Sequence, residues 1–189
     1  MGGLSGSEWV FGYASLVPDG AGGGAVEARL GGHRRVLGVA HDNRRIIPGY
    51  KTYFRRDDGS RPNVYVAFFD VEVAPDVAVG GLALPVDADR LDALDAREAN
   101  YERVDVTGLV EGPSGRVWTY MGLAGGRARL ARGLAEGTAV VSLDYLQKVR
   151  GAFRARGKDA FAEFERTTVT HGIPALDLDR RDVAERRTA

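Results

Sequence analysis

The segment from Asn63 to Val73 limits what this chain can fold into more than any other. Val64, Val66 and Phe68 fall on one side of an extended backbone, and Tyr65, Ala67, Phe69 and Val71 on the other, because side chains alternate along a strand. Both sides are apolar, so the strand has to be covered on both. That demands a layered core, and 189 residues suffice for one domain that has one. With 44% hydrophobic and 28% charged residues, the composition is that of an ordinary globular chain.

Charge and cysteine content remove several functions. Lys+Arg and Asp+Glu both number 26, so there is no basic excess of the kind nucleic-acid binding needs. The pairs Arg34-Arg35, Arg44-Arg45, Arg55-Arg56, Arg180-Arg181 and Arg186-Arg187 read as solvated surface. No cysteine is present, which excludes a disulfide scaffold, a thiolate zinc site and a cysteine nucleophile. The histidines, His33, His41 and His171, show no metal-ligand spacing, so no metal and no cofactor are expected. No apolar run approaches the ~18 residues of a membrane span, and residues 1–8 lack the basic region and apolar core of a signal peptide. A cytoplasmic protein with no membrane partner is expected; the sequence leaves the oligomeric state open.

A second stretch is built for backbone exposure. Trp9, Val10, Phe11 and Tyr13 are strand formers, while Gly12, Ala14 and Ser15 are too small to shield the main chain. A strand ending this way presents free N–H groups where an anion or a developing oxyanion can be held. A strand running into a plain turn would look the same.

Further along, residues 26–40 read as one or two strands broken at Gly31-Gly32, and 80–84 as a short strand ended by Pro85. Asp19–Gly24 lacks the Gly-Lys-Ser/Thr ending of a phosphate loop and reads as a surface loop. Asp87 caps a helix over 87–98. Leu91 and Leu94 mark its buried side, and Asp95 and Glu98 fall on that same side. Tyr101–Val106 and Arg116–Tyr120 read as paired strands across a turn at 111–115. Helices are expected near 126–136, at 143–156 with the stripe Leu143, Leu146, Val149, Phe153, and at 158–167. Residues 1–8 are expected as a flexible tail, 9–175 as the folded domain and 176–189 as a charged, loosely packed tail.

Two motifs carry a resemblance. Phe11-Gly12-Tyr13-Ala14-Ser15-Leu16 resembles the amino-terminal Tyr-Gly-Ser-Leu signature of the γ-glutamylcyclotransferase-like family, which includes the ChaC-type glutathione-degrading enzymes; Ala14 stands where the usual residue is Gly. Leu94-Asp95-Ala96-Arg97-Glu98, followed by Tyr101-Glu102-Arg103, resembles that family's Leu-Asp-x-x-Glu and Tyr-x-Arg signature. The resemblance spans about residues 9–165. It implies an α+β fold, a small mixed barrel-like sheet with flanking helices, and a metal-independent enzyme. By the same resemblance Glu98 is the catalytic acid/base, and Tyr13, Ala14, Ser15, Leu16, Tyr101 and Tyr145 line the substrate site.

The implied chemistry needs few groups. A γ-glutamyl amide carries its own nucleophile, the α-amine, which closes onto the γ-carbonyl to form 5-oxoproline and expel an amine. Holding the substrate folded exploits effective molarities of order ~10⁵ M and above. A carboxylate shielded by leucines is desolvated, which favours accepting the proton of the α-ammonium. Three readings remain open from sequence. One is cleavage of glutathione, a γ-glutamyl amino acid or a γ-glutamyl amine, one a dedicated γ-glutamyl-removing step in a biosynthetic pathway, and one a non-catalytic module that binds γ-glutamyl ligands. For Glu98 itself, a structural ion pair with Arg97 or Arg103 at the helix end is the competing role.

Overall fold

The computed structural model describes residues 7–17 and 23–184. Its elements run β1 (Glu8–Gly12), β2 (Val26–Asp42), β3 (Lys51–Arg55), β4 (Tyr65–Val86), α1 (Ala88–Arg97) and β5 (Tyr101–Asp105). They continue with β6 (Val110–Glu111), β7 (Arg116–Gly122), α2 (Ala124–Ala135), β8 (Ala139–Ser142), α3 (Leu143–Ala155) and α4 (Lys158–Thr167). The last strands are β9 (Thr168–Val169), β10 (Ala175–Leu176) and β11 (Leu178–Asp182). The chain is α+β, with nine of the described strands in one mixed sheet and β3 and β11 in a second, two-stranded one. No helix among the described residues is long and apolar enough to cross a membrane.

β4 is the spine. It pairs with β1, β2 and β8, and the sheet order runs β10-β8-β4-β1-β7-β5 with β2 branching off β4. The doubly apolar segment is covered on both sides, as its pattern requires. Tyr65, Phe69 and Val71 join one buried cluster with Phe153 and Phe164 from the helices. Val66 and Phe68 join another with Tyr53 and Leu178 from the small sheet.

Three differences from the sequence reading have physical reasons. The two strands expected at 63–73 and 80–84 are one strand of 22 residues. β2 partners Val73 with His33 and Ala78 with Gly31, so residues 74–77 swing out between them, and Pro75 sits where a bulge spares it a ladder bond. The amino-terminal tail ends earlier than expected: Glu8 starts β1, and the Ser7 carbonyl accepts from the Arg116 amide at 3.0 Å; residues 1–6 lie outside the described ones. The charged segment beyond 176 is a correction too. Leu178 is fully buried, and Leu178–Asp182 pairs antiparallel with Lys51–Arg55, so this part of the chain is a cavity wall and not a loose tail. Residues 19–22 of the glycine-rich loop and 185–189 at the carboxyl end also lie outside the described residues.

Candidate active site

The cavity forms where β1 runs out. Leu16 folds back over Gly12, where an added Cβ would come within 2.8 Å of the Leu16 Cβ. The turn is closed by the Val17 amide donating to the Ala14 carbonyl at 3.0 Å. Among the described residues the one non-glycine at positive φ is His171, so Ala14 takes its place in the turn without left-handed strain.

The leucine stripe brings the acid to this turn. Asp87 caps α1 by accepting from the Arg90 amide at 2.8 Å, and Leu91 and Leu94 pack into one cluster with Val10, Leu16 and Tyr120. Glu98 follows at the helix end, its amide donating to the Leu94 carbonyl at 2.9 Å and its carbonyl accepting from the Tyr101 amide at 2.8 Å. Its side chain is 13% exposed, with one carboxylate oxygen 3.3 Å from Arg97 Nε. Asp95, three residues earlier, accepts from the Tyr120 hydroxyl at 2.6 Å and lies 3.4 Å from Arg103. Asp95 and Arg103 therefore brace the α1–β5 corner.

Tyr13, Ala14, Ser15, Leu16, Glu98 and Tyr101 all border a recess of about 20 Å³, room for roughly one water-sized group. Ser15, Glu98 and Tyr101 also border a larger cavity of about 750 Å³ that runs out past Tyr145 to Lys51 and Arg180. The residues named from sequence are thus brought together, with Tyr145 in the wider part. Leu16 differs in kind: its side chain anchors the turn in the core.

The tyrosines are fixed and neutral. Tyr13 donates to the Tyr120 carbonyl at 2.7 Å and Tyr101 to the Phe69 carbonyl at 2.7 Å. Tyr145 accepts from the Phe69 amide at 3.1 Å. Burial pushes the Tyr13, Tyr101 and Tyr145 phenols well above their ordinary range, so they stay protonated and serve as walls.

Two further features escaped the sequence. Arg35, read with Arg34 as solvated surface, is instead fully buried, donating to the Tyr13 carbonyl at 2.6 Å and the Gly80 carbonyl at 2.7 Å. Its guanidinium lies 4.7 and 4.6 Å from the ring centres of Phe153 and Phe164. Burial lowers its pKa to about 10. It clamps the turn to β4. Strand alternation held the signal: adjacent side chains of a strand point to opposite faces, so in a strand covered on one face one arginine of the pair turns inward, and Arg34 takes the outer side with Glu72. The second feature is Asn100, which donates to the Tyr50 hydroxyl at 2.6 Å and accepts from Arg129 at 2.9 Å, fixing the backbone beside Glu98.

No family model matches the chain, and no curated protein does. Solved structures do. A gamma-glutamyl cyclotransferase superposes with a TM-score of 0.51 at 13% identity, covering 84% of this chain and 85% of its own. A gamma-glutamyl cyclotransferase specific to glutathione from yeast gives 0.54 at 12% identity, covering 86% and 97%. An uncharacterised protein from Homo sapiens gives 0.54 at 14%, covering 95% and 94%. At such identities the likeness is one of architecture, and this chain has the gamma-glutamyl cyclotransferase-like fold.

Proposed function

We propose that the chain cleaves a γ-glutamyl amide by intramolecular attack, releasing 5-oxoproline and a free amine. One observation carries this reading: the shielded Glu98 carboxylate and the backbone turn 13–16 border the same recess. The fold likeness to a gamma-glutamyl cyclotransferase supports it.

In this scheme the γ-glutamyl group lies with its chain folded back in the large cavity, against Ser15, Glu98 and Tyr101, and only its γ-carbonyl oxygen enters the recess at the turn. Glu98 takes one proton from the α-ammonium, and the freed amine forms a C–N bond to the γ-carbon. Main-chain N–H groups of the turn hold the oxyanion. The bond to the leaving nitrogen then breaks, and that nitrogen gains the proton from Glu98 and the second proton lost by the attacking amine. The attacking nitrogen ends as the lactam N–H, and the leaving group departs as an ammonium ion. Arg97 Nε stands 3.3 Å from one oxygen of the Glu98 carboxylate, and Asn100 fixes the backbone that carries it.

Replacing Glu98 with Gln keeps the shape and removes the base. Loss of 5-oxoproline release by about 10²–10⁴-fold is expected, the usual worth of a general acid–base, with an unchanged melting profile. A variant that still turns over at the wild-type rate removes the mechanism. Binding of γ-glutamyl compounds without turnover by the wild type would make the chain a binding module instead.

A further inference from the structure

A second cavity, a groove of about 520 Å³, opens between β2, β6 and the α3–α4 corner. The main chain of Gly80 and Gly81 stands between this groove and the turn at 13–16. Neighbouring residues of a strand face opposite ways, and these two do. A Cβ built on Gly80 would lie 2.8 Å from Glu163 Oε2, on the groove side, and one on Gly81 would lie 2.2 Å from the Gly12 carbonyl oxygen. Both sides grip the pair. From the groove, Glu163 accepts from the Gly80 amide at 2.9 Å and Arg156 donates to the Gly81 carbonyl at 3.1 Å. From within, Arg35 donates to the Gly80 carbonyl and, through Nε, to the Tyr13 carbonyl. Glu163 and Arg156 therefore have a hydrogen-bonded route to the turn.

The groove holds unpaired charge of both signs. Glu27, Glu111, Asp159 and Glu163 supply carboxylates, and Arg29 and Arg156 supply guanidinium groups. Arg156 donates to Glu27 at 3.1 Å, yet its Nη1 is buried with no hydrogen-bond partner, which is unfavourable until an acceptor arrives. Among the described residues Glu111, Asp159, Glu163 and Arg29 make no ion pair. We infer that the groove is a second ligand site, that it takes a small zwitterion bearing one further positive charge, of the basic α-amino acid class, and that its filling is felt at the turn. The charges decide the class. An α-carboxylate suits Arg29 and the open nitrogen of Arg156, and two ammonium groups suit carboxylates that outnumber the guanidinium groups. A plain diamine lacks the first partner and a neutral amino acid lacks part of the second. The volume is in the range of small-molecule sites. A ligand bridging Arg156 and Glu163 holds the Gly80–Gly81 pair from outside, so the turn opens less often. The inference does not depend on the cyclotransferase reading.

The test uses the whole chain and three probes. L-Lysine, cadaverine (which lacks the carboxylate) and L-norleucine (which lacks the second ammonium) are titrated calorimetrically at neutral pH and low salt. Lysine is expected to bind at least about fivefold more tightly than either, as charge-assisted contacts imply. In Glu111→Gln/Asp159→Asn that advantage over norleucine falls below about twofold, with an unchanged melting profile. Hydrogen exchange reads the link to the turn. Saturating lysine should slow exchange of the Val17 amide, which closes the turn, at least about threefold in the wild type and not in the variant. The Tyr101 amide, which closes the corner after Glu98, should keep its rate. Absence of lysine binding, equal binding of cadaverine, or an advantage that survives the double substitution overturns the site. Binding that leaves Val17 exchange unchanged, or slows Tyr101 as much, overturns the link. None of these readouts uses 5-oxoproline release, so the cyclotransferase reading stands or falls separately.

Discussion

Gly81 is where the chain can be broken most informatively. β1 and β4 run antiparallel with Gly12 opposite Leu82, and at this point they touch main chain to main chain. A Cβ built on Gly81 would lie 2.2 Å from the Gly12 carbonyl oxygen and 2.8 Å from the Phe11 ring. Gly81 does not sit at positive φ, so the conflict in Gly81→Ala is steric and nothing else. The nearest obstacle is backbone, which has no rotamer to escape into. Overpacking of a core costs about 1–3 kcal/mol, and a clash with main chain belongs at the top of that range. At roughly 2–4 °C per kcal/mol for a chain of this size, melting should fall by about 6–12 °C. Gly151 supplies the control. It lies within α3 with no neighbour inside 4 Å of an added Cβ, so Gly151→Ala should gain about 1 kcal/mol of helix propensity and raise melting by about 2–4 °C. Both are read by circular dichroism melts. A Gly81→Ala protein melting within about 2 °C of wild type would refute the contact. Because the Gly12 carbonyl leads straight into the turn at Tyr13, 5-oxoproline release should also drop at a temperature where the variant is still folded.

One other prediction bears on the site. Arg35→Lys replaces a fork that spans two carbonyls with a single ammonium; kcat for 5-oxoproline release should fall at least about tenfold with KM changing less, and an unaltered kcat would show that the clamp does not set the turn.

Local rules were enough for α1. Asp87 as cap, the Leu91–Leu94 spacing and the placement of Glu98 on the leucine side could all be read along the chain, because each depends on residues within two helical turns. The two apolar faces of Tyr65–Val71 were equally legible. Long-range pairing was not. Pro75 reads as a break until β2 is seen to leave residues 74–77 unpartnered. Leu178–Asp182 carries so many charges that it reads as solvent, yet Leu178 is buried against Tyr53 and Val140 while the arginines and aspartates neutralise one another outside. Lys51 gave no signal either, since it is set beside Asp182 only by pairing with a strand about 130 residues away.

The ribbon of β3 and β11 has a wider consequence. It forms a sheet of its own, docked on the larger one through side chains, while the turn and the acid are embedded in the main framework. The far wall of the large cavity is thus built apart from the turn and from α1. Substitutions on the ribbon's cavity-facing side would reshape that wall and leave the scaffold of the turn and of Glu98 untouched.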